Sequence, residues 1–593
     1  MKKLSEKCVL LIMVVLQLFS NETRGQSFSL NVVEPFSAVQ MSYPVNNNKD
    51  NIIQNMNQGR FKILYNGVSG TSISPQIVTL IGEKKMLAFE IKNTSNKVID
   101  KIGITFSVPQ GTSLKVYQEA LINDWYSNQN RNSNTLNFYG DPLLLLARSA
   151  NAFSINNLRP QESVRVQVEV MSKKSLNDKI GLVVSAGNKS SSLNYNYKVV
   201  NKSIPNNEFS SIAFNAINLS SGSDLIDVLD DIGFTHLQVN PMPFVLFDTK
   251  GQIRSNGIDQ AQVGSKSFRD VAYNWIKSGG KIALFWQAQY GKLAPTGNGA
   301  YLKPYSPEWN VAYVNLIGEV AKSLKKVYNQ FDESQLVIYL ADEVSEGDLQ
   351  KSGGNIKALA ATNNAIKKAF PNIKTMVTFG FYSGDDEVNN LLNTVDVTVM
   401  HFVMPVKANA AGRSFTPFQT KRNYEAKVAR IAEHTSWYYN VESGVTSDIR
   451  DFRLLPLVSA SVGMNGFSWW AFASHRGSTW TVDKDNGLNY SMYYGKEPNN
   501  ALFNTWAKGL GTQDVIIPSL RLKAARAGLL DAKIILAIKN KINSLSNVDR
   551  NSFQQIVNEL SKINADNKEN MNFPEVGKIE AYSSKLRELY SKL

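Results

Sequence analysis

The pattern that most constrains this chain is a series of eight apolar runs, each followed by a stretch of helical periodicity, over about 300 residues. The runs fall at 212–217, 236–240, 282–286, 336–340, 375–379, 395–401, 437–441 and 467–472. Their helix-like partners fall at 224–232, 268–277, 311–327, 356–370, 387–392, 423–432, 452–462 and 500–508. Short continuous apolar runs are strands buried on both faces, and eight strand–helix pairs suit a closed (β/α)8 TIM-like barrel better than an open sheet of ordinary size. A doubly wound open sheet is the alternative the same alternation allows.

Upstream the period is different. The segments MLAFEIK at 86–92, KIGITFSV at 101–108, SVRVQVEV at 163–170 and IGLVVSA at 180–186 alternate apolar and polar residues, with polar turns between them. Many short period-two strands predict an N-terminal all-β sandwich. The 163–170 segment, entered through a Pro-containing turn, reads as an amphipathic strand, and NKSIPNNEF at 201–209 reads as a linker. Beyond Gly511 the chain turns helical, with candidates at 521–543, 552–562 and 576–593 that pack on the barrel exterior. At 593 residues the chain is too long for one core. The expected organisation is multidomain: a β-sandwich domain over 26–200, the barrel over 201–510 and a C-terminal helical region over 511–593.

Residues 1–25 read as a signal peptide. Lys2, Lys3 and Lys7 precede an apolar run over 8–19, and a polar exit follows at 20–25. That run is too short to span a bilayer comfortably, and no later stretch is long and apolar enough for a transmembrane helix. Export to the periplasm, cell surface or medium is therefore expected. The single cysteine, Cys8, lies inside this signal at the start of its apolar run and not at its end, which does not indicate a lipoprotein anchor. The exported chain would carry neither thiol nor disulfide, which excludes a Cys nucleophile and Cys-ligated zinc and leaves core burial to stabilise it. Formal charge is +14, and removing residues 1–25, with four basic and two acidic residues, leaves about +12. The excess is spread thinly, with its densest cluster at Lys322, Lys325 and Lys326, so no basic face or module for nucleic acid is visible.

Active sites of such barrels lie where strands end and loops begin. The fourth strand ends in LVIYLADE at 336–343, placing Asp342 and Glu343 side by side at that rim. Neighbouring carboxyls resist simultaneous ionisation, so one can stay protonated as a general acid. In a regular strand neighbours point to opposite faces, and both reach one pocket only where the chain leaves the sheet. The seventh strand ends in WYYNVES at 437–443, placing Glu442 across the same rim. Glu343 and Glu442 would then be the pair of a two-carboxylate retaining glycosidase, whose carboxyls lie roughly 5 Å apart; alternatively Glu442 is a structural partner of Arg450 or Arg453.

Aromatics gather at the same rim: Trp286, Trp437, Tyr438, Tyr439, Trp469, Trp470 and Trp480. Sugars offer apolar C–H faces edged by hydroxyls, which flat rings with polar neighbours bind. In Trp469–Trp470, alternation sends one ring into the barrel and the other under the helices. Asn215, Asn218, Gln287, Gln289, His401 and His475 supply polar groups near strand ends. The histidines show no zinc spacing, Asp483, Asp485 and Gly487 lack the closing Glu of a calcium loop, and no phosphate loop or nucleophile elbow is present. No metal or cofactor is expected, and the expected partner is a glycan.

Several segments together resemble glycoside hydrolase family 123 and its uncharacterised relatives. They are the strand with Asp342–Glu343, RLLPLVSASVGMNGFSWWAF at 453–472, Trp480 with NGLNYSMYYG at 486–495, and PSLRLKAARAGLLD at 518–531. The resemblance runs from about 209 to 539. Two departures are Ala527 after Arg526, where the family helix usually carries acidic residues, and Val344 after Glu343, where relatives often have Pro. The resemblance implies exo-action on terminal N-acetyl-β-galactosaminides by substrate-assisted retention, with Asp342 orienting the acetamido group and Glu343 as general acid/base. It also implies a tyrosine on the acetamido carbonyl, for which Tyr382, Tyr438 and Tyr439 are candidates. The candidate substrate-binding set is Asn218, Trp286, Tyr382, His401, Trp437, Tyr439, Glu442, Trp470 and Trp480. A glycan-binding or cell-surface protein without turnover is the non-enzymatic reading of the same features.

Overall fold

The computed structural model describes residues 27–37, 40–44, 76–123, 135–148, 151–214, 222–239, 245–263, 266–285, 294–297, 299–342, 354–379, 392–402, 435–440, 448–472, 491–495, 516–563 and 574–593. They fall into two compact units, the first up to Ile204 and the second from Pro205 onward. No helix among them is long and apolar enough to cross a membrane.

The first unit holds eleven strands: β1 (Phe28–Val33), β2 (Gln40–Pro44), β3 (Gln76–Ile81), β4 (Lys85–Asn93), β5 (Ile99–Ser107), β6 (Thr112–Asn123), β7 (Thr135–Arg148), β8 (Ala152–Leu158), β9 (Ser163–Ser172), β10 (Leu176–Ala186) and β11 (Lys189–Ser203). They form a six-stranded sheet, β1-β4-β9-β6-β7-β2, and a five-stranded sheet, β3-β11-β10-β5-β8. Every second residue of β9 (Val164, Val166, Val168, Val170) meets Ile102, Ile104, Ile180 and Leu182 from the other sheet in one core. β11 runs to Ser203, three residues into the stretch expected as a linker.

The polar face of β9 does not meet water. Arg165, Gln167 and Glu169 are buried as deeply as the valines. Arg165 donates to the Ser37 carbonyl and hydroxyl at 3.0 Å each, and Gln167 donates to the Pro35 carbonyl at 3.1 Å and to Glu119 at 2.8 Å. Segment 34–37 thus covers a face whose alternation alone reads as solvent-exposed. The covering leaves acids without water: burial pushes the carboxyls of Glu90 and Glu119 above their usual range, against the pull of Arg165.

The second unit is built on a closed barrel of eight parallel strands. These are β12 (Ile212–Ala213), β13 (His236–Val239), β14 (Lys281–Leu284), β15 (Leu336–Ala341), β16 (Lys374–Phe379), β17 (Val397–His401), β18 (Thr435–Asn440) and β19 (Gly466–Trp469). Each pairs with its successor, and Ala213 of β12 pairs with Trp469 of β19 to close the ring. The connecting helices include α1 (Gly222–Ile232), α2 (Phe268–Lys277), α3 (Pro307–Val327), α4 (Ile356–Ala369) and α5 (Ile449–Ser461). α3 shows why such a helix starts where it does. Ser306 caps it by accepting from the Trp309 amide, Pro307 occupies the first helical position, and Lys325 and Lys326 sit in the last turn.

Three helices follow: α6 (Leu520–Asn540), α7 (Asn547–Ser561) and α8 (Val576–Ser591). α6 lies directly on α5, and the contact depends on two residues. Pro456 has no N–H for the Phe452 carbonyl, and Gly528 of α6 has no side chain to keep that carbonyl away. A Cβ on Gly528 would stand 2.8 Å from the Phe452 and Arg453 oxygens. Next to this contact, buried Asp531 bridges Arg453 at 2.7 Å and Arg587 of α8 at 2.6 Å, while Arg453 also donates to Glu580 at 2.9 Å. One buried carboxylate therefore ties α5, α6 and α8 together.

Candidate active site

Side chains pointing inward alternate along each barrel strand. Val337 and Tyr339 of β15, Met376 of β16, Val397 and Val399 of β17, and Trp437 and Tyr439 of β18 fill the interior, with Phe214 and the partly buried Phe285 and Trp470 around them. Carried forward on the same alternation, β15 would send Ala341 inward and Asp342 outward. The structure departs from this at one point. Tyr339 pairs with Met376, but Ala341 pairs with the next residue, Val377, so β15 carries one residue more than its neighbour there. Such a bulge re-aims the chain that follows it.

Asp342 therefore comes up beside Thr378, on the inward side. Its Oδ1 accepts from the Tyr339 hydroxyl at 2.5 Å and from the Thr378 hydroxyl at 2.5 Å, and those two hydroxyls lie 2.7 Å apart. Burial, with the Asp342 carboxylate beside it, pushes the Tyr339 phenol well above its ordinary pKa. The phenol thus keeps its proton at neutral pH and remains a hydrogen-bond donor.

Aromatic rings wall this carboxylate. The Tyr339 ring lies 4.8 Å from Phe285 and 6.5 Å from Phe214, and Phe214 lies 5.6 Å from Trp470. On β17 and β18, the buried His401 stands edge-on to Tyr439 at 5.0 Å. These residues end their strands on the same side of the barrel, the side that carries the active site in this architecture. The arrangement can hold a ligand with an apolar face while one fixed carboxylate accepts a hydrogen bond or stabilises a developing positive charge.

The sequence-based candidates separate as follows. Asp342, His401, Tyr439 and Trp470 come together at the inward rim. Trp437 points inward too, but lower. It is 1% exposed, with its ring 5.0 Å from His236 at the floor of the barrel and packed over Gly466, where a Cβ would come within 2.7 Å of the indole. From there it fills the interior and does not edge the mouth. Tyr438 takes the opposite face of β18 and packs on Phe402 at 5.4 Å. Trp470 packs inside, and Trp469 stacks on Phe452 of α5 at 5.8 Å, the division that alternation predicts. Arg450 pairs with Asp448, and Arg453 with Asp531 and Glu580. Glu343, Asn218, Trp286, Tyr382, Glu442 and Trp480 lie outside the described residues.

Four residues of the site were not singled out from sequence: Phe214, Phe285, Tyr339 and Thr378. Period two along LVIYLADE does place Tyr339 on the row of Val337, but nothing local marks the bulge that brings Asp342 to the same side.

Residues 67–205 match the family described as Trs120/TRAPPC9, second Ig-like domain, in keeping with the sandwich. Among solved structures, a family 123 glycoside hydrolase from Clostridium perfringens, analysed for glycolipid glycan hydrolysis, is similar over 89% of this chain and 92% of its own, with TM-score 0.59 and 11% identity. This chain has the fold of that glycoside hydrolase. The resemblance to family 123 read from the sequence thus extends to both the sandwich and the barrel. A family 39 glycoside hydrolase from Bacteroides cellulosilyticus WH2 is similar at TM-score 0.36, with 12% identity over 77% of this chain and 82% of its own. A family 5 mannosidase from Rhizomucor miehei is similar at TM-score 0.31, with 11% identity over 63% and 97%. No curated protein sequence matches the chain.

Proposed function

We propose that this chain is an exported glycoside hydrolase that removes terminal β-linked N-acetylhexosamine, N-acetylgalactosamine foremost, by substrate-assisted retention. The observation that carries the reading is the bulge of β15, which turns Asp342 into an aromatic-walled barrel mouth and leaves Glu343 as the next residue of the chain. The likeness of fold to a family 123 enzyme supports it.

In this mechanism the substrate's own acetamido oxygen attacks the anomeric carbon, forming a cyclic oxazolinium-like intermediate while the glycosidic bond breaks. Asp342 accepts the acetamido N–H, which orients the nucleophile, and its charge stabilises the cation that develops. Glu343 gives its proton to the leaving oxygen and then takes one from the incoming water. No enzyme nucleophile is required, so Glu442 has no chemical role. This route is one of the exceptions to the two-carboxylate scheme. Residues 1–25 direct the chain out of the cytoplasm and are removed.

The test is hydrolysis of aryl N-acetyl-β-galactosaminide, aryl N-acetyl-β-glucosaminide and the corresponding 2-hydroxy glycosides by wild type, Asp342→Asn and Glu343→Gln. Turnover of the acetamido substrates alone is expected, with losses of roughly 10²–10⁴-fold in Glu343→Gln that are smallest for leaving groups departing unaided. Trapping of a covalent enzyme adduct by a 2-fluoro glycoside would replace this reading with the Glu343–Glu442 scheme. A folded wild type without turnover on either epimer would overturn it.

A further inference from the structure

Resting on that reading of Asp342, we propose that Tyr339 and Thr378 are positioning residues that set the torsion of the Asp342 carboxyl, and through it the alignment of the substrate's acetamido group. An aspartate at the end of a strand has two rotatable bonds and rotates readily when one hydrogen bond holds it. Here a single oxygen, Oδ1, takes two hydroxyl donors at 2.5 Å each, from two different strands. The two donor oxygens stand 2.7 Å apart; each hydroxyl has a single hydrogen, and with both given to Oδ1 this approach is a close contact and not a third hydrogen bond. Donors set on two different strands hold that oxygen at one point, so turning the carboxyl stretches both bonds at once, and this fixes its torsion.

Neither donor can easily move. The Tyr339 ring is buried between Phe285 and Phe214, and Thr378 is a buried, β-branched residue in the parallel ladder. The bulge supplies the remaining condition. Tyr339 and Asp342 are three residues apart, an odd spacing that regular alternation would send to opposite faces, yet here they are hydrogen-bonded. Substrate assistance depends on such fixation, since the attacking oxygen belongs to a flexible substituent and reacts only when held near the anomeric carbon.

The variants Tyr339→Phe and Thr378→Val keep shape and remove one hydroxyl each, and a third carries both changes. Crystal structures of the three give a readout that does not depend on turnover. The Asp342 carboxyl is expected to leave its plane in the double variant, and a carboxyl that keeps the wild-type torsion without either hydroxyl overturns the proposal. Kinetics provide the second readout. The double variant is expected to lose up to roughly 10²-fold in kcat on aryl N-acetylhexosaminides with little change in KM, because misalignment acts on the reacting geometry more than on binding. In an Asp342→Asn background the same changes are expected to cost almost nothing further, whereas a merely structural role would lower activity by the same factor in both backgrounds. Undiminished kcat in the double variant, or additive losses, sinks the positioning role and leaves the glycosidase reading standing. Inactive wild type sinks the glycosidase reading, and the torsion seen in the crystals still decides the clamp.

Discussion

His236 is 3% exposed at the floor of the barrel, with its ring against Trp437 and its Nδ1 2.7 Å from the Thr235 hydroxyl. Burial, helped by the positive charge of Lys281 and opposed by Glu208, lowers its pKa from 6.5 to about 3. The folded protein therefore binds this proton less readily than the unfolded chain does. The stability associated with the neutral ring is complete above pH 6.5 and drains away as the pH falls toward 3. Within that window each step of one pH unit removes about 1.4 kcal/mol, so acidification to pH 4.5 costs about 2.7 kcal/mol, and the whole interval about 5 kcal/mol. The perturbation is His236→Gln, which cannot titrate, compared with wild type at pH 7 and pH 4.5. Urea unfolding read by pulse-labelled hydrogen exchange in peptides covering β13 and β18 reports the barrel separately from the sandwich. Whatever packing the substitution loses is lost at both pH values, and other titrating groups act on both proteins, so the comparison isolates the imidazole. Wild type should lose about 2.7 kcal/mol more than the variant between the two pH values. Parallel losses would refute the argument, since the ring would then be accepting its proton within the folded barrel.

Three further outcomes follow from the packing. Asp531→Ala leaves Arg453 and Arg587 as buried cations without their shared anion; denaturant unfolding should show a loss of about 3–5 kcal/mol. Gly528→Ala gains about 1 kcal/mol of helix propensity, but its methyl would meet two backbone oxygens at 2.8 Å that cannot swing aside. The overpacking cost of up to about 3 kcal/mol should prevail, giving a lower midpoint in the same assay. Glu119 titrates in the opposite sense to His236, because its folded pKa is raised. Its contribution is present below the unfolded value and is lost as pH rises through the folded one, so Glu119→Gln should flatten the decline of sandwich stability as pH rises above 4.5.

The barrel was legible because its strands are covered on both faces, and that leaves a continuous apolar run for each one. All eight runs overlap a strand of the ring, and the opposite facing of Trp469 and Trp470 followed from alternation alone. Two kinds of information were missing. The polar face of β9 reads as wet because alternation records chemistry, while burial depends on segment 34–37, far away in sequence. The height of a residue inside the barrel depends on how each strand is staggered against its neighbours, so Trp437 and Tyr439 look alike in WYYN although one sits at the floor and the other beside His401. The clamp on Asp342 was hidden for a related reason: Thr378 meets Asp342 only once β15 and β16 are in register.

That register has a bearing on how a site of this kind diversifies. The identity of the residue after Ala341 determines what chemistry the mouth can perform, but the bulge determines which residue stands there. Point substitution acts on the first and leaves the second untouched. Only a slip of pairing, an insertion or a deletion along β15 can exchange the residue presented, and each would displace the whole end of the strand at once. With the carboxylate anchored to the sheet by two strands, substitutions elsewhere around the mouth can alter what enters without disturbing it. In lineages that share this barrel, the position that faces the mouth should therefore change only in rare, discrete steps, while the residue that occupies it can change one substitution at a time.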